Sequence, residues 1–294
     1  MQRFDTISFL TDYGTTDEFV GVVKAVVRDL APHVTVVDLT HGITPYDVRA
    51  GALALARCVA YVPAGVILAV VDPGVGTSRR AVAIEVAGGE GVFVGPDNGL
   101  LAPAVAIAGG AERAVELTNP DFQLAAPGAT FAGRDVFAPA AAHLCNGIAL
   151  TDLGPEIDPG LLLPATVPLP RHEGDDVIAE VLWVDRYGNC QLNVGPDDLP
   201  AEWSAHVELR YHTHSAMAHP TGQATRRAVR TAAFAEAAGA VALVVDSYGM
   251  YAVCLEQRSA AEELGLGAGD QVTLTPLDAP PAASTPVNLG PRRA

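Results

Sequence analysis

Apolar and polar positions follow two different rhythms along this chain. In the first half, short apolar runs alternate with stretches of helical spacing. Residues 7–10 form an apolar run that stops at Thr11-Asp12-Tyr13-Gly14. Phe19, Val22, Val23, Val26, Val27 and Leu30 then recur at helical intervals, with Thr16 or Asp17 placed to cap the helix. Residues 34–39 predict a second strand, ending at Thr40-His41-Gly42, and residues 47–61 a second helix packing through Val48, Ala52, Leu53, Leu55 and Ala56. Residues 66–71 are continuously apolar, as expected of a parallel strand buried on both faces. Residues 81–86 and 91–94 read as a hairpin-like pair before the turn Gly95-Pro96-Asp97-Asn98-Gly99. This alternation predicts a mostly parallel sheet with helices on its faces.

The rhythm changes near residue 161, where a proline-rich stretch without periodicity reads as a linker. Short strand signals follow at 177–184, 191–194, 206–209, 241–245, 251–255 and 271–274, separated by Gly and Asp turns. They predict a small all-β domain. Residues 224–239 fit either a helix or a long crossover. The expected division is an α/β domain over 1–165, a linker over 166–175 and a β domain over 176–294. The tail beyond Leu277 is rich in Pro and Ala and is expected to fray.

Composition narrows the function. The 294 residues carry a formal net charge of −16. Nucleic acid and anionic membrane surfaces both require a basic face, so neither is an expected partner. A cationic small molecule is compatible, although solubility accounts for the bulk charge. No apolar run approaches the roughly 18 residues that span a bilayer, and the N-terminus has no signal-peptide core. A soluble, cytoplasmic protein is expected. Cys58, Cys145, Cys190 and Cys254 form no CxxC pair and read as reduced, mostly buried residues. His212, His214 and His219 cluster without a carboxylate or cysteine at ligand spacing, so they read as a solvated loop and not as a metal site.

The candidate chemistry lies at strand ends. Asp72 terminates the third apolar run, and Arg79 lies seven residues further on, across the turn Pro73-Gly74-Val75-Gly76. Ligands of open α/β sheets bind outside the carboxyl ends of the strands, although a strand-end turn with a capping Asp would look the same. Three more motifs belong to the first domain: Thr11-Asp12-Tyr13-Gly14, His41-Gly42-Ile43-Thr44-Pro45-Tyr46-Asp47 and Phe131-Ala132-Gly133-Arg134-Asp135. A fifth, Asp185-Arg186-Tyr187-Gly188-Asn189, lies in the second domain, and Asp246-Ser247-Tyr248-Gly249 follows it. A parallel sheet brings the first three strand ends to one edge, which is how a pocket is assembled from distant residues.

In this order the motifs resemble the adenosine-forming S-adenosyl-L-methionine (SAM) hydrolases, or SAM hydroxide adenosyltransferases, which are relatives of fluorinase and chlorinase. The resemblance covers nearly the whole chain. It implies an α/β fold with an N-terminal Rossmann-like domain, a smaller C-terminal β-barrel-like domain and a homotrimer with active sites at subunit interfaces. It implies SAM as substrate, adenosine and L-methionine as products, and no cofactor. Asp12 matches the carboxylate that binds the ribose hydroxyls, a task one carboxylate can perform for both. Tyr46 matches an aromatic residue packed on the substrate, and Phe131 and Gly133 flank the same site. Asp185, Tyr187 and Asn189 match contacts to the methionine end and the adenine, and Ser247 a further methionine-end contact. Plainer roles exist for several: a helix cap for Asp12, core packing for Tyr46 and turn chemistry for Asn189.

The implied reaction is attack of water at the ribose C5′. The sulfonium leaves as a neutral thioether, so no general acid is needed. An Asp–Arg–His triad positions the water in this family; Asp72 and Arg79 match its first two members. Asp72 also opposes a halide nucleophile, since a carboxylate repels an incoming anion. The third member is a histidine between Phe and Gly, and Ala132 stands there. His41 and His143 are the histidines that could approach. Loss of one member commonly costs between about tenfold and a thousandfold in rate, so a low-activity enzyme is expected. Ala132 leaves three readings: an introduced exchange, slightly favoured; a natural one with ordered water in the gap; or a chain that binds SAM without useful turnover. A chlorinase-like halide synthase and a non-catalytic SAM or adenosine binder remain the alternatives.

Overall fold

The computed structural model describes residues 4–213, 222–237 and 239–277. The chain divides into two compact units, Met1–Val167 and Pro168–Ala294. The first contains β1 (Thr6–Thr11), α1 (Phe19–Leu30), β2 (Thr35–Thr40), α2 (Val48–Val59), β3 (Gly65–Val70), β4 (Ala81–Val86), β5 (Gly91–Pro96), α3 (Ala102–Ile107), β6 (Ala111–Glu116), α4 (Ala138–Cys145) and β7 (Glu156–Ile157). The strand order is β2-β1-β3-β5-β4-β6-β7. β2, β1, β3 and β5 run parallel, and β4, β6 and β7 extend the sheet antiparallel.

The period of two along β3 explains the layers. Val66, Leu68 and Val70 enter a core with Val23 and Val27 of α1 and the alanines of α4. Ile67 and Ala69, with Val71 just beyond, enter the opposite core with Leu55 of α2 and Ala104 of α3. A strand apolar at every position is thus covered on both faces. Asp47 caps α2, accepting from Ala50 N–H at 2.8 Å. α1 differs from expectation: it starts at Phe19 behind Glu18, without a side-chain cap from Thr16 or Asp17.

The second unit contains β8 (Arg171–Glu173), β9 (Asp176–Val184), β10 (Cys190–Leu192), β11 (His206–His212), β12 (Gln223–Thr231), β13 (Val241–Val245), β14 (Tyr251–Cys254), α5 (Ala260–Leu264) and β15 (Gln271–Pro276). The order β10-β14-β13-β12-β11-β15-β9 closes on itself because β10 also pairs with β9, which makes a seven-stranded barrel with β8 appended to β9. Residues 224–239 are not one helix: 224–231 belong to β12, antiparallel to β11 and parallel to β13, and the stretch that follows, with a 3-10 turn at Phe234–Ala237, is part of a short crossover between the two parallel strands. Ala and Arg favour helix by propensity, but Ala224 and Ala228 face the barrel core, and pairing on both sides decides the outcome.

Cys145, Cys190 and Cys254 are buried free thiols with pKa values pushed up to about 12, mainly by burial. His212 ends β11, while His214, His219 and the tail beyond Leu277 lie outside the described residues. Among the described residues no helix is long and apolar enough to cross a membrane.

Candidate active site

The chain passes from β1 to β2 on one side and then to β3 on the other side of β1. The carboxyl ends of β1 and β3 therefore form the topological switch point, where open α/β sheets bind ligands. Asp12 follows β1, and Asp72 lies just beyond β3. Beyond Asp72 the chain reverses: Val75 N–H donates to Asp72 O and Thr77 N–H to Gly74 O. Gly76 takes φ +78° with its α-carbon face against Ala129 O, a geometry that favours glycine. The reversal returns Arg79 to Asp72. Its Nε lies 2.9 Å from both carboxylate oxygens and its NH2 group 2.5 Å from Oδ2. The two side chains are only 15% and 5% exposed, so solvent screens the pair weakly. The guanidinium also lies over the Phe137 ring at 5.2 Å. Asn98, beyond β5, supports the strand end by donating to Val71 O at 2.9 Å. Asp97 beside it accepts from Arg80 and from Leu163 N–H.

Asp12, Tyr13, Phe19, Pro45, Tyr46, Asp72, Val75 and residues 130–133 line one cleft of about 290 Å³. Asp12 is no helix cap: its Oδ2 accepts from Tyr46 N–H at 2.8 Å, leaving Oδ1 for a ligand. That bond holds Tyr46 in the left-handed region at φ +69°, a costly conformation for a non-glycine residue that clusters at functional sites. The Tyr46 side chain is 74% exposed, which excludes core packing within the unit. Phe131 packs edge-on against Tyr13 and Phe19, with ring centroids 5.8 and 5.1 Å apart, and carries the Arg134 guanidinium over its face. The cleft thus pairs two carboxylates with an aromatic wall, a combination suited to a cationic, ring-bearing ligand.

Ala132 precedes a single π-turn, Gly133–Phe137, that leads into α4. Such turns are often found at functional sites. A Cβ on Gly133 would lie 2.2 Å from the Tyr13 hydroxyl oxygen, so a side chain here would force the phenol to move. Neither candidate histidine reaches the cleft. His41 is buried with Nδ1 2.8 Å from Thr11 Oγ1 and its ring against Phe9. Its Nε2 lies 3.1 Å from Asp38 Oδ1, an ion-pair distance with poor hydrogen-bond alignment. His143, on α4, packs on Phe122, and burial lowers its pKa. Tyr13 and Phe19 line this cleft without being among the site residues expected from the sequence, although Tyr13 directly follows Asp12.

The second unit has its own cleft of about 530 Å³, lined by Trp183, Asp185, Tyr187, Asn189, Ser247 and Tyr248 among others. Two bends of the same design rim it. In one, Asp185 Oδ1 accepts from Tyr187 N–H and Asn189 N–H, and Oδ2 from Asn189 Nδ2. In the other, Asp246 Oδ1 accepts from Tyr248 N–H and Met250 N–H, and Oδ2 from Gln191 Nε2. Gly188 and Gly249 close the bends at φ +83° and +81°. Asp185 therefore spends most of its acceptor capacity on shaping its loop. The groups left along the cleft are the Tyr187 ring, 79% exposed, the remaining Asn189 amide atoms and Ser247.

Residues 7–154 match the SAM hydroxide adenosyltransferase N-terminal domain, and residues 179–273 the SAM hydroxide adenosyltransferase C-terminal domain. The chain belongs to the SAM hydroxide adenosyltransferase family. It is 47% identical over 271 residues to an (R)-S-adenosyl-L-methionine hydrolase from Salinispora tropica, covering 92% of this chain and 97% of that one. A Thermus thermophilus protein of the same name is 42% identical, covering 91% and 98%. Identity to a fluorinase from Actinoplanes sp. is 30%, over 66% of this chain and 72% of that one. Among solved structures, an uncharacterized conserved protein from Thermotoga maritima superposes with a TM-score of 0.80 at 32% identity, covering 91% of this chain and 99% of that one. This family membership carries the expected α/β architecture, with its barrel-bearing second domain.

Proposed function

We propose that this chain hydrolyses SAM, with water displacing methionine from the ribose C5′ to give adenosine and L-methionine. The observation that carries the reading is the Asp72 carboxylate, clamped by Arg79 at the switch point of the sheet. Asp72 accepts one hydrogen of the attacking water and sets its direction. The water oxygen bonds to C5′, the C5′–S bond breaks, and its electron pair stays on sulfur. The leaving thioether is neutral, one proton passes to solvent, and no cofactor takes part. Asp12 binds the ribose diol through its free oxygen, and the Phe131 and Tyr46 rings border the nucleoside. The relatives are named for the (R) form of SAM. The L-methionine centre is already specified, so that label falls on the sulfonium, and we assign this chain the same epimer.

A homotrimer completes the site, with Asp185, Tyr187, Asn189 and Ser247 of a neighbouring copy holding the adenine and methionine ends. Support comes from the family membership and from the second unit's separate cleft with polar and aromatic groups on its rim. The test is incubation with a mixture of SAM sulfonium epimers, with and without chloride, followed by chromatography. Adenosine and methionine from the (R) epimer in both arms are expected. A chlorinated nucleoside in the chloride arm would overturn the choice of water. Tight SAM binding without product would make the chain a binder.

A further inference from the structure

We propose that the Tyr13 hydroxyl is the third water-holding group of this site, supplying in space what Ala132 does not supply in sequence. The inference rests on the hydrolase reading above. Tyr13 lines the same cleft as Asp72 and Ala132. Its hydroxyl lies against the backbone at Gly133, so close that a Cβ there would displace the phenol. The hydroxyl thus fills the corner beside Ala132, although it comes from the other end of the domain.

Its orientation is fixed without using the hydroxyl. The Tyr13 ring is wedged between Phe19 and Phe131, each 5.8 Å away, and its backbone N–H donates to Thr11 Oγ1. The Tyr13 hydroxyl itself has no hydrogen-bond partner among the described residues. A phenol whose O–H has no protein partner among the described residues, on the wall of a cleft that contains a carboxylate, is placed to bond a water or a ligand there. Burial, and then the charges of Asp12 and Asp72, push the Tyr13 pKa upward. The group therefore stays neutral and keeps its proton to donate.

A neutral phenol and a carboxylate suit the two ends of one water. Asp72 accepts a water hydrogen, and Tyr13 donates to one lone pair. The second lone pair is left to form the O–C5′ bond. As the C5′–S bond breaks, its electrons go to sulfur, and the water proton leaves through Asp72 to solvent. Tyr13 gains and loses nothing in the step; it fixes the direction of attack.

The test compares Tyr13→Phe, which keeps the ring, with Tyr13→Phe/Ala132→His, measuring kcat and KM for adenosine release and thermal melting of each protein. Tyr13→Phe is expected to lose about tenfold or more in kcat, with KM changed by less than about twofold and an unaltered melt. Adding histidine at 132 is expected to recover most of the loss, which a purely structural role for Tyr13 would not produce. A Tyr13→Phe enzyme with wild-type kcat would overturn the inference, as would a double variant no faster than Tyr13→Phe. A wild-type protein that makes no adenosine from SAM would instead remove the hydrolase reading and this inference with it. Activity in the wild type with no effect of Tyr13→Phe leaves the hydrolase reading intact and ends the inference alone.

Discussion

Asp72 is held in one orientation by the protein itself. Arg79 binds both of its oxygens, so the carboxylate has little rotational freedom left to lose. Replacing Asp72 with alanine should lower kcat for adenosine release by between about tenfold and a thousandfold, with a smaller change in SAM affinity measured by calorimetry. A wild-type rate in that variant would remove Asp72 from the reaction. The placement of Asp12 and Asp72 at strand ends, with Arg79 returning to Asp72, was legible in the sequence because each depends on local rules: an apolar run ends, a polar residue follows, and a glycine turn returns the chain. The place of the Tyr13 hydroxyl in the cleft was not legible. Its position depends on the missing side chain of Gly133 in a distant segment, and no local pattern encodes that contact. The exposure of Tyr46 was equally hidden, since it follows from a positive φ stabilised by Asp12.

At the scale of elements, β3 was readable because a parallel strand buried on both faces is apolar throughout, and β1 and β2 because short, largely apolar stretches end at turn residues, although β2 lies partly exposed at the sheet edge. β12 was not, since alanines and arginines carry little strand signal and only the partners on either side make it a strand. The link between α1 and β2 yields a prediction about pH. Burial raises the Asp38 pKa, but Lys24 at 2.9 Å and His41 outweigh it, and the net direction is downward. A carboxyl with a depressed folded pKa adds stability above its unfolded value of about 3.9 and loses it as pH falls through the folded value. Asp38 is 42% exposed, so screening keeps the effect small. Asp38→Asn should therefore cost no more than about 1 kcal/mol near neutrality in urea unfolding, and the difference should vanish in strong acid. A deficit that persists there would assign the loss to packing and not to charge.

The two-part organisation of the whole molecule was visible in the change of rhythm near residue 161. Closure of the barrel was not, because it depends on the three-residue strand β10 pairing on both sides. The proposed trimer makes a claim at this scale. Light scattering on the purified protein should give a mass three times the 30.4 kDa of one chain. Dilution to monomer should abolish turnover, because Asp72 of one copy and the barrel rim of its neighbour would then belong to separate particles. Full activity in a monomer would confine the site to one chain. The net charge of −16 suits the same picture, since it draws a cationic substrate toward the protein and discourages polyanions.

The paired bends on the barrel rim carry a consequence for how such a protein can diversify. In each, one aspartate and one glycine define the shape, while the positions between them, Arg186 and Tyr187 in one and Ser247 and Tyr248 in the other, line the cleft, Tyr248 with its ring edge-on to Trp183. Each bend is a fixed mount, and Arg186, Tyr187 and Ser247 are the exchangeable heads. Mutation can exchange the heads and alter what the rim greets while the mount keeps its form, so new preferences are reachable by single steps that leave folding intact.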